Sequence, residues 1–373
     1  MNSAFGIINA FDRPYKVEGL EAHRPVAAFS FIGRYRIIDF VISNMSNSGV
    51  NQIKIFTGSN PLPLTEHLGN GIQYNINSKR GHLHVLFSKN NVFAGNIYNT
   101  GIMGYLDNLD VIEKMHQEYV IIAPSYMVYT ANYDTVMDTH IESGADITMM
   151  YHSVDTAREE FLSNYVVTVN TADKQVTSFE LNNGAAKQRN IFMDTYIMKK
   201  SLFIDLVQKA KKTSSLYSLH NIISDNLGNF SIKGYAHRGY LASINDFDDY
   251  YKSNMRLIDM STAYELFKPN WTIYTKTNDS APTIYLDSSD VTDSIISNGC
   301  QIEGSVYNSI IGRNCVISKG ATVKNCVILG DTRIGENVQI ENQVVDKHAR
   351  IEKVKRIIGD PLYPGYVNRG DRI

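Results

Sequence analysis

The hydrophobic positions along the chain follow two different periods, which change close to residue 270. Before that point, short apolar runs typical of buried parallel strands alternate with segments whose apolar residues recur on one helix face. The pattern predicts strands over 4–10, 53–56, 119–123, 146–150 and 191–198, a hairpin over 165–181, and helices over 37–45, 106–115, 133–144 and 202–210. This alternation predicts an α/β domain over residues 1–270.

The second period begins after a polar stretch, 278–282, which is typical of an exposed linker. Aliphatic residues then recur every six positions in triples, and successive triples start seventeen residues apart. The positions are Ile311, Ile317, Val323, Ile328, Ile334, Ile340, Val345 and Ile351. Such hexads are typical of a left-handed parallel β-helix, a triangular coil in which one aliphatic residue per side points inward. The sequence therefore predicts a second domain over residues 271–373, which consists of the linker and this coil.

The charge balance of the chain makes nucleic acid an unexpected partner. Its 373 residues carry 36 basic and 38 acidic side chains, a formal net charge of −2 at pH 7. No window of ~20 residues is apolar enough to cross a membrane, and the first residues do not resemble a signal peptide. The three cysteines, Cys300, Cys315 and Cys326, lack disulfide-framework spacing and are predicted to be free, buried thiols. We therefore expect a cytoplasmic protein that binds neither membrane nor nucleic acid.

The most specific sequence motif in the chain is the segment 33–50, GRYRIIDFVISNMSNSGV. Its apolar residues define one helix face, and Gly49 follows as a left-handed cap. Together with Asn270-Trp271, this segment resembles the ADP-glucose pyrophosphorylases (glucose-1-phosphate adenylyltransferases), and the order of elements agrees over nearly the whole chain. The resemblance implies a Rossmann-like, GT-A-like nucleotidyltransferase domain in front of the β-helix. It also implies the family's reaction, in which ATP and glucose 1-phosphate give ADP-glucose for glycogen with the help of magnesium.

The positions that bind the nucleotide in that family are altered in this chain. Active relatives follow the first strand with a glycine-rich loop, whose backbone N–H groups surround the phosphates. The corresponding residues, 9–15 (NAFDRPY), contain no glycine. Phe11 adds bulk, Asp12 adds a charge that repels phosphate, and Pro14 lacks a backbone N–H donor. The segments 58–61 and 98–104 have likewise lost the glutamine, arginine and aspartate that relatives carry there. We therefore expect that this loop does not bind ATP.

Both magnesium-binding carboxylates of the family are replaced as well. Where relatives end the strand 119–123 with Gly-Asp-His, this chain has Ser125-Tyr126-Met127, and Ser243 stands at the second aspartate position. Magnesium requires hard anionic oxygens, which neither a phenol nor an aliphatic hydroxyl supplies. Asp246 follows three residues later and is interpreted as the N-cap of a helix that carries Tyr250. The sequence thus predicts no catalytic residue and no metal site.

Two charged residues remain at positions where the family binds substrates or effectors. Arg24 replaces a family lysine, and Glu180 keeps a glutamate that holds sugar hydroxyls in relatives. They are candidates for a remnant ligand-binding site for a small phosphorylated effector, and a collapsed pocket is the alternative. Arg34, Arg36 and Asp39 are interpreted as ion-paired scaffold rather than as site residues.

Three functions are compatible with this pattern. The first, which the altered motifs favour, is a non-catalytic GlgD-type subunit that modulates a catalytic ADP-glucose pyrophosphorylase in a heterotetramer. Such a chain would bind no cofactor, and magnesium would be required by the catalytic partner. The second is an active sugar-phosphate nucleotidyltransferase, in which Asp107, Asp110 or Asp246 would serve as an unusual metal ligand. The third is a hexapeptide-repeat acyltransferase, in which His348 would be the general base.

Overall fold

The computed structural model describes residues 3–11, 15–58, 60–76, 81–87, 101–214 and 217–373. The strands of its N-terminal domain are β1 (Ala4–Ala10), β2 (Ser30–Phe31), β3 (Tyr35–Arg36), β4 (Gln52–Thr57), β5 (His82–Phe87), β6 (Tyr119–Pro124), β7 (Met127–Tyr129), β8 (Ile147–Val154), β9 (Tyr165–Val169), β10 (Val176–Leu181), β11 (Arg189–Lys199), β12 (Ile232–His237) and β13 (Leu241–Ser243). Nine of these described strands form one mixed sheet in the order β10-β9-β11-β6-β1-β4-β5, with β8 paired to β11 and β12 paired to β8. Strand β1 pairs in parallel with β4 and β6, so the carboxyl ends of these three strands meet at one sheet edge.

Helices cover both faces of this sheet. They are α1 (Ile37–Asn47), α2 (Leu62–Leu68), α3 (Gly101–Asp107), α4 (Leu109–Glu113), α5 (Tyr133–Ser143), α6 (Lys200–Thr213), α7 (Leu219–Ser224), α8 (Phe247–Arg256) and α9 (Met260–Leu266). Apolar residues of α1 and α6 belong to separate core clusters, which share strands of the sheet. Among the described residues, none of these helices is long and apolar enough to cross a membrane.

The predicted strands and helices are confirmed, with one exception. The single helix expected over 106–115 divides into α3 and α4 at Asn108. The side-chain amide of Asn108 donates to the backbone carbonyl of Gly104 at 3.0 Å and to that of Phe87 at 3.0 Å. Asparagine side chains compete in this way with backbone hydrogen bonds, which interrupts a helix whose apolar spacing continues.

Helix α1 has an acidic residue in its first turn and is followed by a glycine with a left-handed backbone. The Asp39 carboxylate accepts a hydrogen bond from the backbone N–H of Arg36 at 2.8 Å, and Gly49 has a φ of 76°. The same buried carboxylate contacts His67 Nε2 at 2.6 Å and accepts from the Tyr74 hydroxyl at 2.7 Å. Asp39 is thus part of the scaffold, and its side-chain partners are His67 and Tyr74.

The C-terminal coil has three sheets of five parallel strands each in the described residues. Its strands are β14 (Ile284–Tyr285), β15 (Asp290–Thr292), β16 (Ile295–Ile296), β17 (Gln301–Ile302), β18 (Ser305–Tyr307), β19 (Ile310–Ile311), β20 (Val316–Ile317), β21 (Thr322–Lys324), β22 (Val327–Ile328), β23 (Arg333–Ile334), β24 (Gln339–Glu341), β25 (Gln343–Val345), β26 (Arg350–Ile351), β27 (Arg356–Ile358) and β28 (Gly365–Val367). All the predicted hexad residues lie in these strands with fully buried side chains. Equivalent positions of successive coils face each other, as Ile317 faces Ile334. The predicted left-handed parallel β-helix is confirmed, and its three cysteines are free and buried, as expected.

A row of asparagines runs along one corner of the coil. Asn308, Asn325 and Asn342 have φ values of 42°, 50° and 50°, a left-handed conformation that asparagine tolerates better than most residues. Asn308 Nδ2 donates to Asn325 Oδ1 at 2.8 Å, and Asn325 Nδ2 donates to Asn342 Oδ1 at 3.1 Å. Asn342 Nδ2 then donates to the Gly359 carbonyl at 3.0 Å. Each step spans 17 residues, so this asparagine ladder follows the coil axis in register.

The two parts of the chain pack on each other through a shared apolar cluster. It includes Val17, Leu20, Phe29, Val327, Leu329 and Val344. Gly33 approaches the coil so closely that a Cβ there would lie 3.0 Å from the Ile311 carbonyl oxygen, and its φ of 65° also favours glycine. The linker over 278–282 is mostly exposed, as predicted. The domain limits at 1–270 and 271–373 stay predictions.

Candidate functional site

The two positions at which the resemblance predicts replaced metal ligands, Tyr126 and Ser243, lie side by side. Strand β6 ends at Pro124, and Tyr126 follows just before β7. Strand β13 runs antiparallel to β7 with Ser243 opposite Met127. The backbone N–H of Ile244 donates to the carbonyl of Tyr126 at 3.0 Å. Tyr126 and Ser243, which are more than a hundred positions apart in the chain, therefore lie close together at the carboxyl end of the sheet. Two ligands of one metal ion would have to lie close together in the same way.

Ser243 is hydrogen-bonded to two neutral amide side chains. Its side chain is 5% exposed and accepts a hydrogen bond from Asn164 Nδ2 at 3.0 Å. The Ser243 hydroxyl donates to Asn245 Oδ1 at 3.3 Å, and Asn245 Nδ2 donates to Asn164 Oδ1 at 2.6 Å. The buried hydroxyl and the two amides thus satisfy one another. The hydroxyl of Ser243 is thus engaged with neutral amides, and a carboxylate, Asp249 Oδ2, accepts from the backbone N–H of Asn245 at 3.1 Å.

A carboxylate that the sequence did not single out lies beside Tyr126. The Tyr126 hydroxyl donates to Asp194 Oδ2 at 3.3 Å. Asp194 has a left-handed backbone with a φ of 47°, at a point where the pairing of β11 with β8 shifts between Phe192 and Tyr196. Burial, followed by the Asp194 charge, raises the pKa of the Tyr196 phenol well above its usual value. Nothing in the sequence marked Asp194, because 191–198 reads as one uninterrupted strand.

The arrangement does not fit the magnesium site that the family resemblance implies. Asp194 is a single carboxylate, and the described residues hold no group of three or more acidic, histidine or cysteine side chains placed to bind a metal ion. Magnesium sites need hard oxygen ligands in near-octahedral geometry, and the hydroxyl of Ser243 is already engaged with amides. No catalytic step through a metal ion can therefore be derived for this cleft.

The acidic residues considered as substitute ligands have other positions. Asp246 caps α8, because its Oδ1 accepts from the Asp249 backbone N–H at 2.8 Å, which confirms its predicted role. Asp110 is exposed on α4 and pairs with Lys114 at 3.7 Å. Asp107 is the last residue of α3. Asp246 and Asp110 therefore act as a helix cap and as a member of an exposed ion pair.

Phe11, which belongs to the segment that corresponds to the family's phosphate loop, packs against helix α3. Its ring packs against Phe56 and Tyr105, with ring centroids 6.0 and 5.7 Å away. A Cβ on Gly104 would lie only 2.0 Å from Phe11 Cζ. The bulk predicted for Phe11 is therefore packed into the domain. The other altered residues, Asp12, Arg13, Pro14, Ser59, Tyr98, Asn99 and Thr100, lie outside the described residues.

The packing of Phe11 on Gly104 predicts a coupled pair of substitutions. Gly104→Ala is expected to lower the free energy of unfolding by about 1–3 kcal/mol, because the added methyl group overpacks the contact with the ring. In the double variant with Phe11→Ala the methyl group meets no ring, so the second substitution should cost much less than it does alone. Urea unfolding of both single variants and the double variant measures this coupling.

A matched control for this cycle is Gly228→Ala, since a Cβ at Gly228 meets no atom within 4 Å. This control is expected to leave stability nearly unchanged. Equal effects of Gly104→Ala in the presence and absence of the Phe11 ring would contradict the packing described above.

The two predicted remnant residues are not brought into contact. Arg24 is 4% exposed and lies between the domains, where its Nη2 forms an ion pair with Asp346 Oδ2. The fully buried Asp346 also accepts from the Tyr366 hydroxyl at 2.8 Å. Glu180 is exposed on β10, opposite Val166. A ligand-binding role for Arg24 and Glu180 stays a prediction, and the burial of Arg24 against Asp346 makes it part of the domain contact.

Two further cations lie close to Arg24. Burial, followed by the nearby charges of Arg36 and Arg24, lowers the pKa of Lys347 to about 7. Burial and then Arg24 also lower the pKa of Arg36. The Nε atom of Arg24 is buried without a hydrogen-bond partner among the described residues. We call Arg24, Arg36 and Lys347 the interdomain cation cluster; Asp346 is the anion that contacts it directly.

Sequence reasoning missed Lys347 and Asp346, although a signal was present. Asp346 lies one residue after Val345, which pairs with Ile328 of the preceding coil. Asp346 and Lys347 therefore occupy the corner positions that Leu329 and Gly330 hold one coil earlier. The earlier coils have Ser297, Gly312 and Leu329 where Asp346 stands, so an acidic residue in this row indicates a contact outside the coil.

Known proteins match the chain over both domains. The family model for nucleotidyl transferases matches residues 16–256, and the model for the GlmU-like C-terminal hexapeptide matches residues 285–362. The glycogen biosynthesis protein GlgD of Geobacillus stearothermophilus is 32% identical over 322 residues, which cover 86% of this chain and 83% of that protein. The Bacillus subtilis GlgD is 28% identical over 381 residues, with coverage of 99% and 96%. The glucose-1-phosphate adenylyltransferase of Clostridioides difficile is 30% identical over 354 residues, with coverage of 87% and 90%.

These similarities extend through the sheet domain and the coil, in the order that the structure has them. The chain has the nucleotidyltransferase domain and the hexapeptide β-helix of its relatives, while its cleft has Tyr126 and Ser243 at the two positions described above. The chain therefore belongs to the ADP-glucose pyrophosphorylase family of nucleotidyltransferases, which includes glucose-1-phosphate adenylyltransferase and GlgD.

Proposed function

We propose that this chain is a regulatory, catalytically deficient subunit of a glucose-1-phosphate adenylyltransferase. It would modulate a catalytic homologue that makes ADP-glucose from ATP and glucose 1-phosphate for glycogen biosynthesis. The observation that carries the proposal is the pair of neutral groups at the carboxyl end of the sheet. Tyr126 and Ser243 meet where two metal carboxylates are needed, and Ser243 is held in a neutral network.

The energetics of phosphoryl transfer explain why such a cleft would be inactive. Metal ions and phosphate-binding groups supply most of the stabilisation of the transition state in these reactions. Losing the metal ligands removes several kcal/mol of that stabilisation. In addition, the Phe11 ring occupies space beside the first strand, where the family places its phosphate loop. The remaining contacts would leave the reaction near its uncatalysed rate.

An inactive subunit can still change the activity of a partner. If it packs in one oligomer with a catalytic subunit, its contacts can favour one conformation of that subunit. A coupling free energy of about 1–3 kcal/mol changes activity or effector affinity by roughly 5-fold to 150-fold. We propose the catalytic ADP-glucose pyrophosphorylase subunit as the partner, in a heterotetramer. In this assembly the chain itself would hold no cofactor, and the partner would require magnesium.

The interdomain cation cluster supports a second part of the proposal, a site for a small phosphorylated effector. Arg24, Arg36 and Lys347 come together between the sheet domain and the coil, and burial with mutual repulsion lowers the pKa of Lys347. Multivalent phosphate oxygens would relieve this repulsion and could accept from the unpaired Arg24 Nε. The effector would have to displace Asp346 from Arg24. Glu180 lies on a different element and is not included in this site.

The proposed function is tested by measuring ADP-glucose synthesis with the chain alone and with its partner. The purified chain, given ATP, glucose 1-phosphate and magnesium, is expected to show background rates. Co-expression with the organism's catalytic homologue should give one complex, whose maximal rate or effector response differs several-fold from the homologue alone. The control is a catalytic homologue with one magnesium carboxylate replaced by asparagine, which should abolish activity of the mixed complex.

Two outcomes would contradict the proposal in different ways. Turnover by the chain alone would support the active nucleotidyltransferase with unusual ligands, and unchanged kinetics in a mixture that forms no complex would exclude the regulatory role. Consumption of acetyl-CoA would support the acyltransferase hypothesis. For that reaction, His348 is half-exposed, with Nδ1 3.9 Å from Asp331 Oδ2, beyond hydrogen-bond distance.

A further inference from the structure

Two of the three cysteines occupy equivalent positions on neighbouring coils. Strands β17 and β20 pair with Ile302 opposite Ile317, and Cys300 and Cys315 each precede these residues by two positions. Neighbouring strands lie ~4.8 Å apart, which is within the Cα separation of about 4.4–6.8 Å that disulfides span. The register therefore places the two thiols at the same corner of successive coils, and each is the largest influence on the pKa of the other.

Cys326 provides an internal comparison, because it has no cysteine neighbour in the coil. It precedes Ile328 by two residues, and the equivalent residues on the coils before and after it are Ser309 and Gln343. Its backbone N–H donates to the Ser309 hydroxyl at 3.0 Å. Burial raises the pKa of the Cys326 thiol to about 12. Cys326 is therefore predicted to stay a thiol under conditions in which the other two react.

The electrostatics of the pair separate the roles of its two thiols. The hydrogen bond from Cys315 lowers the pKa of Cys300 to about 7, while the same contact and burial raise the pKa of Cys315 well above its usual value. Thiolates, and not thiols, are the nucleophiles in cysteine oxidation. Cys300 also lies on the coil next to the terminal strand β14, whereas Cys315 lies one coil further in. Cys300 is therefore the group placed to attack an oxidant, and Cys315 is the neighbour that can resolve the product.

The pair lies near the open end of the coil. Strand β14 covers Cys300, and its backbone N–H at Ile284 donates to the Cys300 carbonyl at 2.9 Å. Ile284 and Tyr285 are 58% and 53% exposed, so this terminal strand has few contacts on its outer side. Elements with few buried contacts open locally at low free energy. Opening of β14 would uncover Cys300 while leaving the rest of the coil intact.

The Cys300 thiol also lies next to the contact between the domains. Its Sγ–H donates to the Gly312 carbonyl at 3.1 Å. Gly312 follows Ile311, and both lie against the Gly33 turn of the sheet domain, where a Cβ would come within 3.0 Å of the Ile311 carbonyl and 3.5 Å of Gly312 Cα. The backbone N–H of Gly299, one residue before Cys300, donates to Ala281 of the linker at 2.7 Å. A change at Cys300 therefore acts on both the linker and the domain contact.

We propose that Cys300 and Cys315 form a redox-sensitive dithiol, which a peroxide converts to a disulfide that ties the linker end of the coil to the next turn. The Cys300 thiolate attacks one peroxide oxygen and breaks the O–O bond, which gives a sulfenic acid and, with hydrogen peroxide, one water after protonation. The Cys315 sulfur then attacks the sulfenic sulfur, and its proton leaves with the hydroxyl group as a second water. In sum, two thiols lose two electrons and two protons to one peroxide.

The test is a thiol count on the full-length chain after oxidation. The protein is treated with a small excess of hydrogen peroxide at pH 7.5, and the free thiols that remain after unfolding are counted. We expect the count to fall from three to one, in agreement with the three cysteines of the chain. A cross-linked peptide containing Cys300 and Cys315 should appear by mass spectrometry, and dithiothreitol should restore all thiols.

Single serine variants identify the pair. Cys326→Ser is the matched control and should still lose its two remaining thiols, whereas Cys300→Ser and Cys315→Ser should form no intramolecular disulfide. Trypsin cleavage after Lys276, which is exposed two residues before the linker, is expected to be several-fold slower in the oxidised protein, because the disulfide stabilises the coil end that holds the linker. Retention of three thiols, a cross-link that includes Cys326, or equal cleavage rates before and after cross-linking would overturn the proposal.

Discussion

Replacing Asp346 by alanine is expected to lower the free energy of unfolding by about 3–5 kcal/mol, the range for breaking a buried ion pair. Asp346 is fully buried between the domains, where it pairs with Arg24 and accepts from the Tyr366 hydroxyl. Its removal leaves Arg24, Arg36 and Lys347 close together without the carboxylate that contacts Arg24. Urea unfolding at pH 7.5, followed by tryptophan fluorescence from the single tryptophan, Trp271, measures this effect.

The matched control for Asp346→Ala is a substitution in an exposed pair. Lys114 and Asp110 form such a pair at 3.7 Å, and their side chains are 79% and 62% exposed. Lys114→Ala is expected to change stability by less than about 0.5 kcal/mol, as exposed pairs do. If Asp346→Ala were equally mild, the Arg24–Asp346 pair would not be a principal contact between the domains.

The same variant tests the proposed effector site. Without Asp346, the interdomain cation cluster should bind oxyanions more readily, since no internal carboxylate competes for Arg24. Inorganic phosphate, compared with chloride at equal ionic strength, is therefore expected to raise the melting temperature of Asp346→Ala more than that of the unmodified chain. An equal shift in both proteins would argue against an anion site at Arg24, and the same experiment on Lys347→Ala should reduce the response.

Replacing Ser243 by aspartate, which restores one family carboxylate, is expected to cost about 3–5 kcal/mol at pH 8, because it buries a charge without a counter-ion. Ser243 is 5% exposed, and its hydroxyl is already satisfied by Asn164 and Asn245. Burial should raise the pKa of the new carboxyl above its unfolded value of about 3.9. The native state then binds the proton more tightly, so the destabilisation should be full above the raised pKa and disappear near pH 4.

Two further variants separate charge from packing at this position. Ser243→Ala removes the hydroxyl without adding charge and should cost about 1 kcal/mol at both pH values. The double variant Tyr126→Asp/Ser243→Asp places two carboxylates where β7 and β13 meet, so magnesium is expected to raise its melting temperature but not that of the unmodified chain. Equal stability of Ser243→Asp and Ser243→Ala at pH 8 would show that this part of the cleft is solvated and open to ions.

The features that sequence could predict are those with a local period. The hexads from Ile311 to Ile351 repeat because each coil buries one aliphatic residue per side. The packing therefore produces a regular pattern of aliphatic residues in the sequence. Helix α1 could be predicted for the same reason, and Gly49 marks its C-terminal end. The family resemblance also indicates where two metal carboxylates would stand, and their replacement by Tyr126 and Ser243 stays a prediction.

The features that sequence missed depend on contacts between distant residues. Arg24 and Asp346 are separated by 322 positions, and nothing near either residue indicates the other. Asp194 lies inside a stretch of strand pattern, and its left-handed backbone follows from the shift in pairing between β11 and β8. The neutral network of Asn164, Ser243 and Asn245 likewise joins separate segments. Such sites follow from the folded topology, which periodicity does not specify.

The asparagine ladder of the coil limits how the length of this domain can vary. Each amide donates to the next one 17 residues later, and all three donors point toward the C-terminal end. Removing or inserting one complete turn in this region would rejoin the ladder with every donor still facing an acceptor. An indel of any other size would rotate the corner positions away from one another and leave side-chain amides unpaired, so tolerated length changes in this region should come in whole turns.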